Sequence, residues 1–316
     1  MIERILGEIH ANSSFLVTTH ENPDGDAVGS SLALAGYLKA LGKDVTIHFC
    51  DAVPDLYTFL PLASEVVQQL PERDYDVCFV LDVGEFRRAG AQINQCRRVG
   101  KFINIDHHLT IDNFGSINYI DPAAAASGVL VYRIIKASDW PIDLPIALSI
   151  YTAIITDTGS FRYSNANPEA FAIAGEMIEV GVNAWDISEK LYESQPQERL
   201  MLLALALSTL TTSSCGKFAS LAVTLEMYAR TGATAELTDG FVNYPRSISG
   251  VEVAVFFREI SAGFFKVGFR SKGKVDVSSI AAAFGGGGHH NAAGCNLKGS
   301  LDDVKTQIFS HLEKAI

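Results

Sequence analysis

Short apolar runs and amphipathic runs take turns along the first two thirds of the chain. The runs "SFLVTTH" (14–20), "DVTIHFC" (44–50), "DVCFVLD" (76–82) and "KFINID" (101–106) are dense in β-branched and aromatic residues, which predicts strands. "SSLALAGYLKALG" (30–42) sets Leu34, Leu38 and Leu41 on one face and ends on Gly42, which predicts a helix. The stretches 125–138, 143–157, 167–181 and 196–210 predict four more. Strands alternating with helices indicate an α/β fold, with a mostly parallel sheet covered on both faces. Ligands of such sheets gather beyond the carboxyl ends of the strands. Polar residues stand at those ends here. His20 closes the first run, Asp82 the third, and Asp106, His107 and His108 the fourth.

The pattern changes after about residue 211. "FASLAVTLEM" (218–227), "GVEVAVFFREI" (250–260) and "GFFKVGFRS" (263–271) alternate like half-exposed strands. "VSSIAAAFGGGGHHNAAG" (277–294) then predicts a short helix and a glycine run. This organisation predicts a first domain over 1–185, a helical linker over 186–212, and a smaller α/β domain over 213–316.

Composition narrows the functional classes. At 316 residues, two domains are the natural expectation. With 48% hydrophobic and 19% charged residues, the chain can bury a large core, which argues against disorder. A net charge of −11 argues against coating long nucleic acid through a broad basic face. The acidity is uneven. Residues 211–316 hold 11 Lys/Arg against 9 Asp/Glu, a net of +2, and residues 1–210 carry −13. An acidic first part suits a carboxylate-rich cation site, and a slightly basic second part suits a grip on phosphate. The five cysteines share no C-x-x-C spacing, as expected of a reduced, cytoplasmic chain without a disulfide framework. The longest apolar run, "LMLLALALSTL", is too short to span a bilayer, so no membrane partner is expected.

The loop "HENPDGDAVGSS" (20–31) crowds His20, Asp24 and Asp26 behind the first strand. Two unpaired carboxylates there would repel each other, so the loop makes sense around a cation. Pro23 forbids a helix running on from His20, and Gly25 would let the backbone turn between the two acids. His20, Asp24, Asp26, Asp82, His107, His108 and Asp157 are the candidate ligands. Carboxylate oxygens mixed with imidazole suit manganese, with magnesium, cobalt or iron as alternatives. Seven donors suffice for two metal ions sharing one carboxylate, an arrangement suited to phosphoester hydrolysis. A lone Asp at a strand end is most often a helix cap or turn residue. H-x-x-x-D-x-D after one strand, Asp after a second and D-H-H after a third are not explained by capping together. The run "GGGGHHNAAG" (285–294) would offer backbone N–H groups to phosphate, with Arg258, Arg270 and Lys272 close enough in sequence to assist.

These motifs resemble the DHH phosphoesterases. "HENPDGDAVGS", Asp82 in "VLDVG", "IDHH" and "TDTGSFRYS" match the catalytic part, and "FGGGGHHNAAGC" is similar to the glycine motif of the DHH-associated C-terminal domain. The resemblance runs from His20 to Cys295. The short length and motif order look most like the nanoRNase/pAp phosphatase branch rather than the longer exonucleases. The resemblance implies roles. His20, Asp24 and Asp82 would hold one Mn(II). Asp26, Asp82, His107 and Asp157 would hold a second, with Asp82 bridging. His108 would contact the scissile phosphate or the leaving group. Gly287, Gly288 and His289 would bind substrate from the second domain, with Arg270 nearby and the active site in the cleft between domains. His290 stands where Lys or Arg is expected.

The expected protein is a cytoplasmic, manganese-dependent phosphohydrolase, dimeric as the family often is. Its substrates would be RNAs of two to five nucleotides, cut to 5′-mononucleotides, and the 3′-phosphate of 3′-phosphoadenosine 5′-phosphate. A phosphodiesterase for linear or cyclic dinucleotides is the alternative within the same chemistry. A pyrophosphatase is disfavoured by the glycine motif. A non-catalytic nucleotide-binding module is disfavoured because every expected ligand is present.

Overall fold

The computed structural model describes residues 1–108 and 112–315, except the side chains of His289 and Ala315. The chain divides into two compact units, Met1–Glu193 and Ser194–Ile316.

The N-terminal unit contains, in order, α1 (Ile2–Ala11), β1 (Ser14–Thr18), α2 (Gly25–Ala40), β2 (Asp44–Ile47), β3 (Tyr75–Leu81), α3 (Ala91–Asn94), β4 (Val99–Asp106) and β5 (Ile117–Ile120). Then come α4 (Ser127–Ala137), α5 (Leu144–Asp157), α6 (Pro168–Val180) and α7 (Ala184–Ser188). The five strands form a sheet in the order β2-β1-β3-β4-β5, parallel throughout. Every residue of β3 but Asp76 is buried, because both faces of the sheet are covered. Phe15, Val17, Phe79 and Leu81 join the core formed with α2, α4 and α5. Leu16, Cys78 and Val80 point the other way, against Ala89 and Ile93.

Helix α2 begins five residues before the predicted stretch. Asp24 caps it, its carboxylate accepting from the amides of Asp26 and Ala27, both at 3.1 Å. Gly25 is therefore the first helical residue rather than a turn between the two acids. It is small because a Cβ there would lie 2.3 Å from Thr156 Oγ1 on α5. Burial on all sides of α2 explains the missed start, because such a helix has little amphipathic period to read. The predicted helices in 143–157 and 167–181 carry Asn or Asp caps followed by Pro. Asp143 accepts from the Ile146 amide, and Asn167 accepts from the Ala170 amide.

The C-terminal unit contains α8 (Gln197–Leu207), β6 (Thr211–Thr212), β7 (Phe218–Val223), α9 (Leu225–Thr231), α10 (Asn243–Ser247) and β8 (Val253–Ser261). It continues with β9 (Phe264–Ser271), α11 (Val277–Ala282), β10 (Gly287–His289), β11 (Ala292–Lys298) and α12 (Leu301–Ala315). Its mixed sheet runs β10-β11-β9-β8-β7-β6, with only β7 and β8 parallel. The stretch 218–227 is not one strand. Thr224 breaks it by capping α9, accepting from the Met227 amide. Strand β7 is fully buried, not half-exposed. Its alternate residues feed two cores: Phe218 and Ala222 pack with residues of α11 and α12, whereas Leu221 and Val223 pack with Leu202 and Ala206 of α8. No described helix is long and apolar enough to cross a membrane.

Candidate metal centre

The carboxyl ends of β1, β3 and β4 bring the first group of residues together. His20 follows β1, Asp82 follows β3, and His107 and His108 follow β4. The start of α2 adds Asp24 and Asp26, and Asp157 is the last residue of α5. Every ligand expected from the sequence lies in this one cluster.

Asp82 is at its centre. One of its oxygens, Oδ2, lies 3.8 Å from His20 Nε2, which is 4.0 Å from Asp24 Oδ1. The other, Oδ1, lies 3.5 Å from His107 Nε2 and 3.5 Å from His108 Nδ1. His107 Nε2 also faces Asp26 at 3.6 Å and Asp157 at 3.7 Å. Three sets of donors converge: His20, Asp24 and Asp82; Asp26, His107 and Asp157; and Asp82, His107 and His108. Donors sharing one small divalent ion at roughly 2.0–2.2 Å sit about 3–4 Å from one another, so the spacing fits a cation better than direct hydrogen bonds.

The imidazoles are aimed by the backbone. His20 Nδ1 donates to the Glu21 carbonyl at 2.7 Å, and His107 Nδ1 donates to the Ala124 carbonyl at 3.2 Å. Each contact leaves Nε2 facing the carboxylates, an arrangement common to metal-binding histidines. Asp26 is held from behind by the start of α4, accepting from the amides of Ser127 at 2.6 Å and Gly128 at 2.9 Å. Asp82 accepts from Ser127 Oγ at 2.9 Å. It also occupies the left-handed region, with φ of +59°, a conformation Asp and Asn tolerate better than most residues.

The electrostatics demand a positive partner. Burial, then the charges of neighbouring carboxylates, pushes Asp26 and Asp82 well above the ordinary carboxylate range. Asp157 is raised as well, chiefly by burial. Burial works to lower His107, but Asp26 and Asp157 outweigh it and raise the imidazole. A divalent ion would remove the repulsion that these shifts express.

Three supporting residues escaped the sequence reading. Asp106 is fully buried and accepts from His108 Nδ1 at 2.7 Å, from the His108 amide at 2.9 Å and from the Gly84 amide at 2.7 Å. Burial works to raise Asp106, but the His108 and Gly84 hydrogen bonds prevail and lower it. Its place in "DHH" was visible, yet its role was not, because strand alternation alone does not say which side chain turns back on its neighbour. Asn165 donates to Asp157 Oδ2 at 3.0 Å and to the Ala125 carbonyl at 2.9 Å. It lies one residue beyond the "TDTGSFRYS" stretch. Ser127 carried no sequence signal.

The second group lies in the C-terminal unit. Arg270 on β9 pairs with Ala292 on β11, which pairs with His289 on β10. The His289 side chain lies outside the described part of the structure. Arg270 donates to the Phe269 carbonyl at 3.0 Å. Gly287 and Gly288 form part of β10, and packing explains some of the glycines. A Cβ at Gly286 would lie 2.1 Å from the Gly294 carbonyl, and one at Gly288 would lie 2.5 Å from that of Ala292, with φ of +145°. Gly287, by contrast, is open. Arg258 and Lys272 are tied to carbonyls of their own unit, those of Ala235 and Ile248. His290 Nε2 donates to the Gly273 carbonyl at 2.9 Å.

Comparisons with known proteins agree with this layout. Residues 14–154 match the DHH family, N-terminal domain, and residues 218–316 match the DHHA1 domain. The chain is 37% identical to the bifunctional oligoribonuclease and PAP phosphatase NrnA of Thermus thermophilus, over 95% of this chain and 89% of that protein. It is 27% identical to the protein of the same name from Bacillus subtilis, over 99% and 98% of the two chains. Among solved structures, an exopolyphosphatase-related protein from Bacteroides fragilis superposes with a TM-score of 0.93 at 30% identity, covering 99% of this chain and 95% of that one. The enzymes of this group are metal-dependent, and the donor cluster described above suits such a requirement. With its matched N-terminal and DHHA1 domains, the chain belongs to the DHH family of phosphoesterases.

Proposed function

We propose that the protein is a manganese-dependent phosphohydrolase that degrades RNAs of two to five nucleotides to 5′-mononucleotides. It also removes the 3′-phosphate of 3′-phosphoadenosine 5′-phosphate. One observation carries the proposal: Asp82 directs its two oxygens to two separate donor groups, an arrangement that suits a carboxylate shared between two ions. The names and near full-length coverage of the Thermus and Bacillus relatives support the substrates.

His20, Asp24 and Asp82 would hold one Mn(II), and Asp26, Asp82, His107 and Asp157 the other. When bound, the pair supplies Lewis-acid stabilisation of charge on phosphate oxygens and favours a nucleophile at neutral pH. The protein's own groups do the rest. Asp106 accepts from His108 Nδ1–H, which turns Nε2 outward; as imidazolium the ring could donate from Nε2 to a phosphate oxygen or the leaving group. Ser127 and Asn165 keep Asp82 and Asp157 in place as substrate arrives. Arg270, Gly287, Gly288 and His289 would bind the substrate within the substrate-binding domain. We assign 1–185 to catalysis, 186–212 to the linker and 213–316 to substrate binding.

The working form is a homodimer in the cytoplasm. Exposed Phe171, Ile178 and Trp185 on the N-terminal unit support association, and five free cysteines suit a reducing compartment. Sedimentation of the purified protein tests the dimer.

The decisive assay incubates the protein and manganese with a labelled RNA dinucleotide and, separately, with 3′-phosphoadenosine 5′-phosphate. Asp82→Ala serves as the control. Mononucleotide release that disappears in the variant supports the proposal. No turnover of either substrate by metal-loaded wild-type protein would sink it.

A further inference from the structure

Within the described residues of the C-terminal unit, one face of the sheet is covered over only part of its width. Helix α8 and Phe241 pack on that face above Leu221, Val223 and Phe256 of β7 and β8. The opposite face carries Phe265, Val267 and Phe269 of β9 and Ala293 and Cys295 of β11. By alternation, Lys266, Gly268 and Arg270 share the partly covered face with Ala292, Gly294 and Asn296.

The register gives that face a floor without side chains. Gly268 pairs with Gly294, which pairs with Gly287, so three glycines lie side by side across β9, β11 and β10. A Cβ at Gly268 or Gly287 would meet nothing within 4 Å among the described residues. The floor has a cation at each end. Arg270 stands beside the Ala292–His289 row, and Lys266 pairs with Asn296 at the other end. Lys266 also borders a cavity of about 350 Å³ lined by Asn296, Cys295 and four glycines. It is exposed and makes no ion pair among the described residues. Its neighbour across β8, Arg258, is already committed to Ala235 and Thr238.

Bare backbone between two cations suits a ribose-phosphate chain lying flat, because a single strand is tracked by positive charge along its backbone. Lys266 and Arg270 are four residues apart on one strand, about 13 Å. That is farther than neighbouring phosphates of one RNA strand lie apart. We propose that Lys266 is a length-reading contact, binding a backbone phosphate present only in substrates longer than a dinucleotide. The proposal rests on the oligoribonuclease reading above and on substrate binding by the C-terminal domain, and it deepens that reading.

The test measures KM and kcat for 3′-phosphoadenosine 5′-phosphate, an RNA dinucleotide and an RNA tetranucleotide. The proteins are the full-length manganese-loaded wild type and the Lys266→Glu, Lys266→Gln and Lys266→Arg variants. In Lys266→Glu, KM for the tetranucleotide should rise about tenfold, while the two short substrates stay within about twofold. Lys266→Arg should restore the wild-type KM. In Lys266→Gln the salt dependence of log KM for the tetranucleotide should flatten by about 0.7, the loss of one single-strand phosphate contact. A KM unchanged for every length, or raised equally for all three, overturns the length contact while leaving the activity standing. A wild-type protein inactive on all substrates overturns the activity itself, and this contact with it.

Discussion

The donor cluster of the N-terminal unit and the glycine floor of the C-terminal unit are built in opposite ways. The centre packs Asp26, Asp82 and Asp157 where burial and mutual repulsion raise all three. Backbone amides and hydroxyls fix these groups so closely that little can be exchanged. The floor buries no carboxylate or imidazole among its unit's described residues, and two of its glycines face open space. Chemistry demands pre-positioned, strained charge, whereas reception of a substrate demands room. Removing a buried carboxylate from the centre should therefore cost function sharply without costing stability when no metal is bound, and a methyl added at an open floor glycine should leave stability unchanged.

Asp82→Asn breaks the comparison hardest if it is wrong. The backbone should hold, because Asn also accepts the left-handed conformation of Asp82. Without the shared carboxylate, kcat should fall by at least about 10³-fold, equivalent to the several kcal/mol a metal contributes to charge stabilisation. Metal-free, the variant should melt no lower than wild type, because a buried, repelled carboxylate has gone. Added manganese should raise the melting temperature of wild type far more than that of Asp82→Asn. Equal manganese shifts in both proteins would remove Asp82 from the site.

Asp106→Asn probes the next layer. Asn can still accept from the Gly84 amide, but it offers His108 no charged partner. A fall in kcat of roughly 10- to 100-fold is expected, with the manganese requirement kept, as for groups that orient the reacting residues. Stopped-assay kinetics across manganese concentrations check both parts. A loss of metal affinity instead of kcat would make Asp106 a structural support for the whole centre.

Glycine substitutions compare the two regions directly. Gly25→Ala sets a methyl 2.3 Å from Thr156 Oγ1 and should cost about 1–3 kcal/mol, because the neighbour is a packed helix. Gly268→Ala meets nothing within 4 Å and should change stability by less than about 0.5 kcal/mol. Urea denaturation of the two variants reads both. Similar losses would mean that the floor is packed after all.

Much of this was legible in the sequence, and the reasons differ by region. The parallel sheet showed through its apolar runs, and the residues that cluster at its carboxyl end showed through their recurrence at strand ends. The start of α2 did not, because a helix buried on all sides has no polar face to mark it. Helix α9 did not, because the apolar run of β7 passes straight into Thr224 and Leu225, and the run alone does not say that the Thr224 hydroxyl caps a helix. Asp106 and Asn165 serve the centre through hydrogen bonds to ligands, and spacing says nothing about such bonds. The glycine run read as one phosphate-binding feature, but it divides into positions forced by packing, Gly286 and Gly288, and open ones such as Gly287.

The smallest effect asks whether intolerance of buried charge in the N-terminal unit extends beyond the metal centre. His48 follows β2, is fully buried, and neither ring nitrogen makes a well-formed hydrogen bond among the described residues. Burial pushes the imidazole below its ordinary value of 6.5. The unfolded chain takes up a proton near that value while the folded chain does not, so His48 costs nothing above it. As the pH falls from about 6.5 towards the folded value, stability should drop by at most about 1.4 kcal/mol per unit, and no further below it. His48→Leu keeps the burial and removes the proton site. Melting curves from pH 8 to pH 5 without metal should show wild type losing stability relative to the variant only on the acid side. His20 and the carboxylates titrate alike in both proteins, so the difference isolates His48. Parallel curves across that range would mean that the pocket accommodates imidazolium, and that intolerance of buried charge belongs to the metal centre alone.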